Sequence, residues 1–273
     1  MKRMKWVLPL LVALFSACSQ KTSPKMLILY YSQTAGTETV AQQIKAFLPE
    51  ADIEKITPAV PYDGTYAETI ARSGKEREEG ILPELNPIEA NLSQYDVIFL
   101  GYPIWFGTCA PPMLSFLNQA HLIGKKIVPF CTFGSGGLST SVADIVKLQP
   151  EAEVLPGYGV RAARLDAVPR EVERFLVAQG YMEGEAVEEV PFCETAPVTQ
   201  EESDIFDAAV GDYPMINARA VTVASRPVPE GTEFLFTAEN LPREGMPMMG
   251  PAEMKVYVLC EEGKQPVFTQ VVR

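Results

Sequence analysis

Residues 25–39 read KMLILYYSQTAGTET. Met26 to Tyr31 is an apolar run of strand length with no polar alternation, the pattern of a central strand buried on both faces of a parallel sheet. It breaks into six small or polar residues, Ser32, Gln33, Thr34, Ala35, Gly36 and Thr37, with Gly36 free to take a positive φ. An amphipathic segment follows, with Val40, Ile44 and Phe47 on one side and Gln42, Gln43 and Lys45 on the other. Such a turn aims backbone N–H groups and three hydroxyls at the positive end of a helix dipole, which makes an anion site.

The turn contains no GxxxxGK[ST] and no lysine to meet a triphosphate, and GxGxxG is absent. Hydroxyls without a cationic side chain suit a single phosphomonoester. An ordinary polar turn ending in a helix cap would carry similar residues, so the rest of the chain decides. The stretch Ser32-Gln33-Thr34-Ala35-Gly36-Thr37 resembles the phosphate loop of the flavodoxin family, which holds the 5′-phosphate of FMN.

Two later loops extend the resemblance. The apolar strand Tyr95 to Gly101 runs into Tyr102-Pro103-Ile104-Trp105-Phe106-Gly107-Thr108, then Pro111-Pro112 and a helix from Met113 to Ala120. Gly101, Pro103, Trp105, Gly107 and Pro111 resemble the loop beside the isoalloxazine ring in flavodoxins. A flat aromatic ligand needs a stiff wall, and Pro103 and Gly107 bracket Trp105 for that purpose. The strand KIVPFCT (126–132) ends in Phe133-Gly134-Ser135-Gly136-Gly137, whose glycines let backbone approach a ligand edge. By the resemblance, Pro103 to Gly107 and Phe133 to Gly137 would join Ser32 to Thr37 in binding FMN. Many flavodoxins cover the second flavin face with an aromatic from this third loop; here only Phe133 is aromatic. One face is left open, or is covered by the Pro58–Gln94 insertion or the C-terminal region.

Helices at 140–148 and 169–179 and a short fifth strand at 154–158 complete an alternating α/β pattern. It predicts a doubly wound, five-stranded parallel sheet of order 2-1-3-4-5, with its ligand where the strand order reverses. The insertion carries a helix at 67–79 with a solvated, charged face. Residues 181–273 read as a small α+β domain. A helix at 200–210 precedes β-rich runs at 218–224, 233–237, 254–260 and 266–272. With the hairpin VASRPVPEGTEFLF, this region faintly resembles a cystatin-like arrangement, with no inhibitor function carried over.

The 273 residues suit two domains, and 47 % hydrophobic content supports a substantial core. A net charge of −12 argues against nucleic acid as a partner and suits docking onto basic redox proteins. Lys2, Arg3 and Lys5 precede an apolar core from Trp6 to Phe15, too short to span a bilayer. Phe15-Ser16-Ala17-Cys18 resembles a lipobox. Residues 1–18 thus read as a lipoprotein signal with Cys18 as the lipidated residue, 19–24 as a tether and 25–180 as the flavodoxin-like domain. A secretory signal with a chance cysteine is the alternative. The expected location is the bacterial cell envelope, periplasm-facing or on the outer membrane, with the lipid as the only membrane contact.

Cys193 and Cys260 could pair, whereas Cys109 and Cys131 read as buried free thiols. His121, the single histidine, ends a helix; GxSxG and CxxC are absent. That leaves chemistry brought by a cofactor. The expectation is an electron carrier acting with a redox partner protein, rather than an enzyme with its own substrate. A flavin-dependent reductase of quinone-like acceptors and an envelope binding lipoprotein without flavin are the alternatives.

Overall fold

The computed structural model describes residues 23–211, 213–242 and 251–273. The leader and Cys18 lie outside these residues. Leu27, Ile28, Leu29 and Tyr30 are all buried along β1 (Met26–Tyr30), as an apolar run with no alternation requires. It lies between β2 (Asp52–Lys55) and β3 (Val97–Trp105), parallel to both. Beyond β3 comes β5 (Lys126–Phe133), also parallel. A two-residue strand, β4 (Thr108–Cys109), folds back antiparallel on the end of β3.

Alternate residues supply the two faces. Leu27, Leu29, Ile98, Leu100 and Ile127 pack under α3 (Pro111–Gln119) and α4 (Ser139–Leu148), meeting Met113, Phe116, Leu117 and Ile145. Ile28, Tyr30, Phe99, Val128 and Phe130 pack under α1 (Gly36–Phe47) and α5 (Val168–Ala178). Residue 101 of β3 must be glycine, because a Cβ there would lie 2.1 Å from the ring of Phe130 on β5.

The predicted fifth strand at 154–158 is split into β6 (Glu153–Val154) and β7 (Tyr158–Arg161), both on the outer edge of β5. The break falls opposite Pro129, which has no N–H to give a neighbour. Gly157 passes so near that a Cβ on it would sit 2.4 Å from the Pro129 carbonyl oxygen. The sheet order is thus β2-β1-β3-β5 with the two short pieces at the end, which is the expected doubly wound arrangement. The third strand also runs four residues past the predicted end at Gly101, because β5 flanks it as far as Pro103 and β4 pairs with Ile104 and Trp105.

The insertion carries α2 (Tyr66–Glu79), started by a capping box of Thr65 and Glu68 and ended at Gly80 with φ +67°. Only Thr69 and Ser73 of this helix are buried, in keeping with a solvated charged face. In the C-terminal region, β8 (Ala196–Pro197) and α6 (Gln200–Val210) precede a meander of β9 (Ala218–Val228), β10 (Gly231–Asn240), β11 (Glu253–Glu261) and β12 (Val267–Val272). These strands form one antiparallel sheet with neighbours in chain order. Phe206 and Val210 of α6 close its core over Val223, Phe236, Val256 and Phe268. All four described cysteines are free thiols, so the suggested Cys193–Cys260 pair does not form. Cys193 instead accepts a hydrogen bond from the Ser225 backbone N–H at 3.2 Å.

Candidate functional site

The carboxyl ends of β1, β3 and β5 bring the three predicted loops to one edge of the sheet. In the first loop the left-handed residue is Ala35, with φ +62°, and not Gly36, which already opens α1. Ala35 offers no side-chain cap. Among the described residues the backbone N–H groups of Gln33 to Thr37 find no acceptor. Helix-start N–H groups without a protein acceptor take water or an anion.

The three hydroxyls divide rather than converging. Ser32 Oγ accepts from the Glu38 N–H at 3.1 Å, and Thr37 Oγ1 lies 2.8 Å from Thr132 Oγ1 in the interior. Thr34 is exposed. Glu38 in the first turn would repel an anion, but Lys55 donates to it at 2.8 Å and holds its carboxyl below the usual range. The loop therefore presents donors with little opposing charge. This fits a phosphomonoester.

Trp105 ends β3 and is half-buried, the last residue before a tight turn of Phe106 (φ +51°) and Gly107 (φ +82°) into β4. Positive φ at both central residues is the geometry of a type I′ hairpin, which glycine accepts readily and phenylalanine does not. Phe106 is held there by contacts with α2. Its ring lies 5.5 Å from the Arg77 guanidinium and would touch a Cβ at Gly74. Pro103 and Ile104 sit on the strand itself, half-buried. The Pro103 carbonyl accepts from the Ala110 N–H at 3.1 Å and so anchors the returning chain.

Two tyrosines meet Trp105 edge-on: Tyr31 at 6.0 Å and Tyr62 at 5.3 Å between ring centroids. Tyr62 comes from the insertion, buried beneath the Arg72 guanidinium at 3.9 Å. Gln33 ties the first loop to this group, accepting from Tyr31 Oη at 2.6 Å and donating to the Tyr62 carbonyl. Burial pushes the Tyr31 and Tyr62 phenols up, and the neighbouring Glu76 pushes Tyr62 further. Both stay neutral across the physiological range. Behind the turn, Tyr102, Cys109 and Cys131 are buried together, and burial raises both thiols, leaving them unreactive.

In the third loop Phe133 is buried in the core under α3 and α4, so it closes β5 from inside. Gly134 to Gly137 lie against the C-terminal domain. The Ser135 carbonyl accepts from the Val271 N–H at 2.8 Å, and the Gly134 carbonyl accepts from Arg161 Nε at 2.7 Å. Tyr31, Tyr62, Arg161, Tyr213 and Gln270 are the neighbours that sequence reasoning missed. Only Tyr31 had a local signal, as an aromatic at the exit of β1. His121 is exposed beyond α3, away from the three loops.

Residues 25–171 match the profile of the flavodoxin family. A protein of Gluconacetobacter diazotrophicus named NAD(P)H dehydrogenase (quinone) is 32 % identical over 135 residues, covering 45 % of this chain and 64 % of its own length. One of Acidovorax ebreus with the same name is 34 % identical over 135 residues, with the same coverage. The chain thus spans less than two thirds of either relative. Among solved structures, a flavoprotein in complex with FMN from Lactobacillus acidophilus is 20 % identical, with a TM-score of 0.45, covering 50 % of this chain and 93 % of that one.

Proposed function

Because the chain belongs to the flavodoxin family, we propose that it binds FMN across the ends of β1, β3 and β5 and works as an electron-transfer protein of the cell envelope. The observation that carries this reading is the start of α1, where among the described residues the N–H groups from Gln33 to Thr37 have no acceptor and Glu38 is neutralised by Lys55. The first loop takes the phosphate. Trp105, steadied by Tyr31 and Tyr62, is the wall for the ring, and the N–H groups of Gly134 to Gly137 face its edge. When bound, FMN supplies one- and two-electron transfer, and the chain sets its orientation and surroundings. The leader and the lipobox at Cys18 support an envelope anchor, with the net charge of −12 favouring a basic redox partner.

Adding FMN to the purified protein tests the reading directly. Binding should shift the visible flavin bands and quench flavin fluorescence; no change with excess FMN would overturn it. A second reading, a flavin-dependent reductase of quinone-like acceptors, is favoured by the names of the two relatives. Rapid mixing with NADH or NADPH separates the two. A carrier is reduced slowly by either nucleotide, whereas fast reduction followed by reoxidation with a quinone identifies the reductase.

A further inference from the structure

Three of the five residues of the third loop are glycine, and a free chain of that composition loses much conformational entropy when it is fixed. It is fixed by β12 of the C-terminal domain and by β7 at the edge of the parallel sheet. Val271 on β12 donates to the Ser135 carbonyl at 2.8 Å. Arg161, at the end of β7, donates from Nε to the Gly134 carbonyl at 2.7 Å and from Nη1 to the Phe268 carbonyl at 2.8 Å. Its guanidinium also lies 3.3 Å from the Phe268 ring centroid.

The glycines themselves report this contact. A methyl group at Gly134 would come within 2.7 Å of Tyr213 Oη, and one at Gly137 within 2.2 Å of Gln270 Nε2. At Gly136 it would meet nothing within 4 Å. Two of the three glycines thus make room for the C-terminal domain, and the third faces away from it. The carbonyls of Gly134 and Ser135 are occupied, whereas among the described residues the N–H groups of 134–137 find no acceptor.

We infer that the C-terminal domain is part of the cofactor site, with Arg161 as a positioning residue that holds the third loop donor-side out toward the flavin ring. The inference rests on the FMN reading given above. Arg161 is only 8 % exposed and, among the described residues, has no carboxylate partner; carbonyls and aromatic rings surround it instead. Its charge therefore stays uncompensated behind the loop. By polarising the Gly134–Ser135 peptide, it strengthens the Ser135 N–H as a donor. A ring edge rich in carbonyl acceptors, with electron density that grows on reduction, is the chemistry such a loop selects.

The test is titration of the full-length protein, Arg161→Gln, Arg161→Lys and Gln270→Ala with FMN and with riboflavin, plus the midpoint potential of each complex. Because the loop addresses the ring and not the phosphate, Arg161→Gln should raise both dissociation constants by the same factor, roughly tenfold for a lost charged hydrogen bond. Its midpoint potential should fall, with Arg161→Lys intermediate, since a buried positive charge favours the reduced ligand. Gln270→Ala should weaken both ligands by a smaller, equal factor. Should Arg161→Gln fail to fold, Gln270→Ala carries the test. Wild-type binding with folded variants unchanged toward both ligands overturns the inference alone. Wild-type protein that binds neither ligand overturns the FMN reading and this inference with it.

Discussion

Tyr62, from the insertion between β2 and β3, meets Trp105 edge-on with ring centroids 5.3 Å apart. The insertion is therefore a support for the tryptophan that the sequence marks as the flavin wall. An edge-to-face pair contributes about 0.5–1.5 kcal/mol beyond its burial. Tyr62→Ala should weaken FMN binding by up to that amount through a loosened Trp105, while Trp105→Ala should cost about 1–2 kcal/mol, the scale of an aromatic contact. In the double variant the two losses should not add, a coupling that a cycle of FMN titrations measures.

Gly136 and Gly137 make a second pair of opposites. The Gly137→Ala methyl would press into Gln270, so that variant should lower the melting temperature with or without ligand. Gly136→Ala has space in the protein itself. It should melt close to wild type and lose affinity only for FMN and riboflavin. Calorimetry of ligand-free protein alongside flavin titration checks both outcomes.

Thr37→Val removes one partner of the 2.8 Å pair with Thr132 and leaves a buried hydroxyl unmatched. The expected destabilisation is about 1–3 kcal/mol, read by denaturant unfolding. The same change lies in the phosphate loop. Because that hydroxyl faces the interior and the variant keeps its backbone N–H, the folded variant should bind FMN and riboflavin close to wild type.

The parallel sheet was legible because its signals are local. Apolar runs such as Met26–Tyr31 have one physical solution, and Ser32–Thr37, Pro103–Gly107 and Phe133–Gly137 sit at strand ends where loops collect. What was not legible depends on residues far apart in the chain. Nothing near Val154 announces that Pro129 on the neighbouring strand will break the fifth strand. Ala35 takes the left-handed position in place of Gly36, which already opens α1. Glycines 134 and 137 suggest ligand contact, yet their clash partners Tyr213 and Gln270 belong to the other domain. Phe133 shows the same limit: the resemblance placed it among the flavin-binding residues, and its burial in the core depends on α3 and α4, distant in the chain.

The domains are also joined by charge. Arg170 on α5 donates to Glu261 on β11 at 2.5 Å, and Lys264 joins at 2.6 Å. The Arg170 hydrogen bond, and then that of Lys264, brings the Glu261 carboxyl from 4.5 to about 2. Its folded value lies below the unfolded one, so its stabilisation is complete above 4.5 and fades as pH falls toward 2. The melting temperature of Glu261→Gln should lie below wild type near neutral pH, and the gap should close progressively through that acid window. A gap independent of pH would assign the effect to packing.

Val271 is on the last strand of the sheet to leave the ribosome, yet its N–H fixes Ser135, translated long before. Arg161 can hold Gly134 earlier, but the glycine loop gains its second anchor only once β12 is made and folded. If the C-terminal domain does complete the FMN site, tight cofactor binding would then be a late event in the life of each molecule. Any nascent or nicked chain lacking β12 would have an intact Trp105 turn and an intact phosphate loop, and still hold its cofactor loosely.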